Sequence, residues 1–394
     1  MGKRTTIADL PVELMLLILH HVSDTKSLLS LAFSSREIYN IYLMALKELH
    51  IGVLTRKYDE TLLDINEAIA AVRSTDVGIK NNKEKAIALL DDWRRRQETA
   101  TRVKGSLKVE EIKELYKFHK EILFFLADFR ANLKSPYFIK DKDWNEKYVP
   151  IRLTDPERRR FVTALCRLVI HHNIFGRCKE AKEEDSTFYD NEWEQEISGV
   201  DAWRLFFGTM PPWVYHEMVC IQWHLVDRWR EVLANAEIRA QMMGMSWTIR
   251  LKFRTNGYTS FGPRFLFRVI DADPSDRHNM LKLNHDRGSI LPWIGFSNPI
   301  PRNLRLPLVY PADKYNVGSF DELWSKTSAA DEPGTIWRRA VLKLFAKNLD
   351  FQAAFVNEDI SNNPYSHFQW IGWDCQMIIW DEEKVQEWEA YYRH

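Results

Sequence analysis

Cys166, His171, His172 and Cys178 come nearest, in type and spacing, to a chemical centre in this chain. Two thiols and two imidazoles are the ligand types of a tetrahedral zinc site, which requires all four to converge. On a helix, however, Cys166 shares a face with Val162 and Val169, whereas His172 aligns with Leu165 and Leu168. The four do not meet, and the expectation is an ordinary buried cysteine with no metal. The pair His20-His21 has the titration range of a pH switch but reads better as the edge of a helical surface. Carboxylates crowd together in DKDW (141–144) and YDNEWEQE (189–196), and charge runs in KEAKEED (179–185) and WRRRQ (93–97). Without a pocket these are solvated faces. The motifs G-x-G-x-x-G, P-loop, G-x-S-x-G and H-E-x-x-H are all absent from the sequence. No catalytic residue, cofactor or metal is therefore expected.

The composition narrows the class further. The chain has 394 residues, 45% hydrophobic, 28% charged and 13% aromatic, a globular profile long enough for two domains. Lys plus Arg and Asp plus Glu each number 55, so no net field draws the molecule to nucleic acid or an anionic membrane. The scattered cysteines Cys166, Cys178, Cys220 and Cys375 make no disulfide framework. That favours a reducing compartment, the cytoplasm or nucleus. No apolar run approaches the roughly 18 residues of a membrane span.

The elements that could position a functional surface begin with DLPVELMLLILHHV (9–22). A basic pair, Lys3-Arg4, followed by an apolar run is how a secretory signal starts. Here Asp9 and Glu13 flank or interrupt the run, and no small-x-small cleavage site follows. Met1-Gly2 with Thr6 fits the loose myristoylation pattern, which is too permissive to carry weight. The stretch reads as a helix capped by Asp9, with Pro11 in its first turn and Glu13 on the positive end of its dipole. From Leu14 to Leu19 every residue is apolar, so such a helix should be covered on all sides. A second helix starts near Thr25. A third opens with a capping box at Ser34-Ser35-Arg36-Glu37 and keeps helical spacing through Leu49. Three short helices seldom stabilise themselves without a staple or a partner, and the surplus apolar surface points to a partner.

These residues resemble an F-box. The ordered set is L-P-x-E-L (Leu10, Pro11, Glu13, Leu14), then Ile18, Val22, Asp24, Leu28, Leu31, Ala32, the Ser34-Ser35 pair and Tyr39, within residues 7–50. Tyr39 and Tyr42 stand where many F-boxes carry a tryptophan, as in the F-box proteins of filamentous fungi. The resemblance implies binding to the Skp-type adaptor of a cullin–RING ubiquitin ligase. Leu10, Pro11, Glu13, Leu14, Ile18, Val22, Leu28 and Leu31 would then form the adaptor surface, and the remaining chain would capture an unknown protein substrate. An F-box scaffold outside a ligase, or a helical enzyme with a fused docking module, are the other functions compatible with it.

Residues 56–394 read as a larger helical, tryptophan-rich domain. Helices are expected over 59–73, 83–102 and 109–129. Another runs from the capping box Thr154-Asp155-Pro156-Glu157 to Gly176, and a further one over 211–233. Residues 246–254 alternate like a strand, and the C-terminus reads as a short strand followed by a closing helix. The expected fold class is mainly α, with minor β near the C-terminus. Trp373-Asp374 and Trp380-Asp381 lack the period of WD repeats, and no leucine-rich series exists. Most of the 15 tryptophans belong in a core. Trp293, Trp370 and Trp373 lie on proline-rich or turn-like segments, which makes them the expected substrate contacts, in a cleft between 286–311 and 366–381.

Overall fold

The computed structural model describes residues 7, 10–78, 82–99, 107–136, 139–176, 202, 205–207, 210–234, 257–284, 322, 324–327, 331–334, 337 and 379–392. Among the described residues every regular element is a helix. The stretches read as strands, 246–254 and the segment before Ile379, lie outside them.

The first unit comprises α1 (Val12–His21), α2 (Thr25–Ala32) and α3 (Arg36–Met44). Its caps follow from short polar side chains satisfying free N–H groups. The Asp24 carboxylate accepts from the Ser27 N–H at 2.9 Å, and the Ser35 hydroxyl from the Ile38 N–H at 3.2 Å. The cap is therefore Ser35 rather than Ser34, and Ile38 rather than Glu37 stands three residues on, so the expected box is replaced by a single serine cap. Ser34 instead donates its hydroxyl to the Leu31 carbonyl at 2.7 Å, closing the preceding helix. Pro11 is the N-cap of α1 and not part of its first turn, with φ −54 and ψ 147. Asp9, the expected cap, lies outside the described residues. The helical spacing that runs on to Leu49 conceals a break at Ala45 (φ −108, ψ 14), after which α4 (Leu46–Glu60) begins.

Two cores meet along α4. Met15, Leu19, Leu28, Ala32, Ile38, Ile41, Tyr42, Leu49 and Val53 form the first. Leu54, the next residue, already belongs to the second, which runs through the body. The expected boundary between residues 50 and 56 thus falls inside one continuous helix.

The body contains α5 (Ile65–Arg73), α6 (Lys83–Thr99), α7 (Val109–Asn132), α8 (Asp141–Lys147), α9 (Asp155–Phe175), α10 (Pro212–Ala234), α11 (Pro263–Asp271), α12 (Pro274–Asn284) and α13 (Glu382–Tyr392). Helix α9 is central, packing on α10, α5, α7 and α11. Its start carries the expected capping box, Thr154 with Glu157, and its end the expected Gly176. A Cβ at Gly176 would come 2.3 Å from the His172 carbonyl oxygen, so only glycine fits there. The helix expected over 59–73 is two: α4 ends at Glu60, and the chain turns through Leu62 (φ 62) and restarts beneath the Asp64 cap.

The closing helix α13 is latched onto the start of α9. Arg160 donates to the Ile379 carbonyl at 2.9 Å and to Asp381 at 2.7 Å. The Asp381 N–H donates to Glu157 at 2.9 Å, and Lys384 pairs with the same buried carboxylate. Beneath this latch Trp380 packs 5.7 Å from Phe129, and Trp388 5.1 Å from Trp144, centroid to centroid. Among the described residues no helix is long and apolar enough to cross a membrane.

Candidate docking surface

Helix α1 sends only Met15 and Leu19, one turn apart, into the first core. Apolar side chains also stand exposed on this helix, beside Glu13 and His21. Val12 is 45% exposed, Leu14 47%, Leu17 53% and Ile18 37%. The sequence predicts a helix covered on every side, and the chain itself covers one side only. Burying a large aliphatic side chain stabilises by roughly 1.5–3 kcal/mol, so this face holds a large part of that free energy unrealised. Phe33, 68% exposed, and Met44, 83% exposed, extend the apolar surface of the unit to the ends of α2 and α3.

The residues expected to meet an adaptor fall into three groups. Pro11, Glu13, Leu14 and Ile18 are open to solvent. Leu10, Val22 and Leu31 are half-buried and pack partly against the first core. Leu28 is 0% exposed. It is a core residue and not a surface one, because it stands on the face of α2 that turns toward α3. Sequence reasoning missed Val12, Leu17, Phe33, Leu43 and Met44. The all-apolar run Leu14–Leu19 contains Leu17 but stops short of Val12. Leu43 and Met44 lie at the end of α3, just before the break at Ala45.

The body treats its polar groups differently. Glu67 is buried and accepts two bonds from Arg167, at 2.7 and 3.0 Å, and one from Trp93 Nε1 at 3.1 Å. Glu121 accepts from Arg264 at 2.9 and 3.1 Å. Asp128 has His224 and Arg228 each at 3.0 Å. Burial pushes the Glu217 carboxyl up to about 7, although Arg160 and Arg167 oppose the shift. It pushes His172 down to about 3.

The described members of the cysteine–histidine group, Cys166, His171 and His172, sit in separate surroundings. Cys166 is buried near Glu67 and Arg167, and burial pushes its thiol up. His171 lies among Phe175, Phe206 and Phe207. His172 faces Gln222 at 3.3 Å and packs under Gly262, whose φ of +82 and lack of a Cβ allow the approach. Cys178 lies outside the described residues, as do Trp293, Trp370 and Trp373. Trp93, Trp144, Trp213, Trp229, Trp337, Trp380 and Trp388 are all buried. No protein-family model, curated protein or solved structure matches this chain.

Proposed function

We propose that residues 7–50 are an F-box-like module that docks on the Skp-type adaptor of a cullin–RING ubiquitin ligase, and that the body receives a protein substrate. In this reading the chain is a substrate receptor acting inside the cell and performs no bond chemistry of its own. One observation carries it: large apolar side chains of α1, Leu14, Leu17 and Ile18, stand open to solvent beside Glu13. Contiguous exposed apolar surface on a folded chain marks an interaction site. The order Leu10, Pro11, Glu13, Leu14, Ile18 along that surface supports the identity of the partner. The substrate contacts in this reading are Trp293, Trp370 and Trp373.

Co-precipitation from cells tests it. The wild-type chain should recover both adaptor and cullin, and Leu14→Ala/Ile18→Ala should lose both. Recovery of the adaptor without cullin would make the protein a scaffold outside a ligase. Undiminished recovery by the double variant would remove the docking assignment.

A further inference from the structure

His50 stands on α4 just before the point where the two cores meet. Its Nε2 lies 2.9 Å from the Tyr42 hydroxyl on α3, and its Nδ1 lies 3.1 Å from the Tyr116 hydroxyl on α7. The Tyr116 hydroxyl also donates toward the His50 carbonyl, at 3.4 Å. A hydroxyl whose proton points at a carbonyl can only accept at its oxygen, so Nδ1 carries the imidazole hydrogen and Nε2 accepts from Tyr42. Neutral histidine fits this geometry, giving at one nitrogen and receiving at the other. Burial pushes the His50 pKa below its ordinary value, which keeps the ring neutral.

The imidazole is also one member of a row of rings. Phe33 stacks on Tyr39 at 5.5 Å, and Tyr39 on Tyr42 at 6.3 Å. Tyr42 meets His50 edge-on at 5.9 Å, and His50 meets Tyr116 edge-on at 5.8 Å. The row therefore runs from an exposed corner of the docking unit to a helix of the body. The later half of α4 is gripped by α7 directly: Tyr58 donates to the Leu115 carbonyl at 2.8 Å, and His119 lies 3.0 Å from the Lys57 carbonyl. Arg56 reaches the Val22 carbonyl at 2.5 Å. His50 thus joins α3 to α7 through side chains, and Tyr116 also packs against the first core and reaches Thr25 on α2.

We propose that His50 is a positioning residue that fastens the docking unit to the body, so that whatever covers α1 holds the body in one direction. A three-helix unit of this size is marginal alone. Without the tie it should open locally, ahead of the body. The inference holds whichever partner α1 takes.

Hydrogen exchange on the full chain tests it. Tyr116→Phe removes a single hydroxyl from α7 and leaves both cores packed. Amides of α1–α3 should then exchange roughly fivefold faster, the usual net worth of one hydrogen bond, while α9 and α10 keep their rates. His50→Leu should produce a larger change in the same amides. His50→Leu/Tyr116→Phe should fall short of the sum of the two single effects, because the hydroxyl acts partly through the imidazole and partly through its bond to the His50 carbonyl, which His50→Leu keeps. Tyr42→Phe makes the same test from the other side should His50→Leu fail to fold. Unchanged α1–α3 exchange in Tyr116→Phe and Tyr42→Phe would overturn the proposal. So would a quickening spread equally over α9, or additive effects in the double variant.

Discussion

The first 60 residues and the body sort their side chains in opposite ways. Among the described residues, the exposed large apolar side chains are Ile7, Val12, Leu14, Leu17, Ile18, Phe33, Leu43 and Met44, and the body adds Leu123 alone. Buried polar and charged side chains begin only at Thr61 and include Glu67, Asp128, Glu157, Arg160, His172 and Glu217. Size explains the contrast. Three short helices enclose too little interior to desolvate a charge, and much of their apolar surface stays outside. The body has depth, and there a carboxylate is tolerated when a guanidinium from a distant helix pairs with it. Apolar surface left open favours a partner, whereas paired buried charge favours one particular packing.

The sharpest way to break this contrast is to remove one half of a buried pair. Glu67→Ala removes the carboxylate oxygen that accepts both Arg167 bonds and should destabilise the chain by about 3–5 kcal/mol. Denaturant unfolding would check it; a loss below about 1 kcal/mol would mean the pair is not desolvated. Next in size is Leu28→Ala, which empties space in the first core and should cost about 2–4 kcal/mol. A merely exposed leucine would cost far less, so this variant decides whether Leu28 is core or surface.

A smaller effect should depend on pH. The Glu217 carboxyl has an ordinary value of 4.5 and is raised to about 7 in the fold. Its neutral form is thus favoured in the folded chain: the stabilisation is complete below about 4.5 and disappears as the pH climbs through 7. Glu217→Gln should gain stability over wild type across that window, by up to about 3 kcal/mol at pH 8. His172, lowered from 6.5 to about 3, acts in the opposite sense and loses its contribution as the pH falls below 6.5. Melting curves of wild type and Glu217→Gln between pH 5 and 8 would separate the two; parallel curves would show that Glu217 is solvated.

Helices that announce themselves with local chemistry were legible from sequence. Thr154, Pro156, Glu157 and Gly176 bound α9 because caps act within one turn. Helical periodicity puts Val214, Met218, Ile221, Leu225 and Trp229 on the inward face of α10, and all are buried. On α7 it puts Leu123 with Ile112, Leu115, Ile122, Leu126 and Phe129, and Leu123 is exposed while the others are buried. The break at Ala45 was not legible, since Ile41, Tyr42, Ala45, Leu46 and Leu49 keep helical spacing across it. Nor could any local pattern foresee that Glu67 is buried, because its partner Arg167 lies 100 residues away. On α1, L-P-x-E-L picked out residues that stand open to solvent, Pro11, Glu13 and Leu14. It mistook Leu28 for surface and overlooked Leu17 and Phe33, because a motif records residue types and not which way a folded helix turns them.

The docking role of α1 is tested most directly by titrating a purified Skp-type adaptor against three proteins: wild type, Leu14→Ala/Ile18→Ala, and Leu123→Ala. The first two should differ by about 100-fold in affinity, as expected when two central apolar anchors are truncated. Their melting temperatures should stay close, because both side chains already face solvent. Leu123→Ala, which truncates an exposed leucine on the body, should bind like wild type. Equal affinity for all three proteins, or no binding even by wild type, would contradict the account.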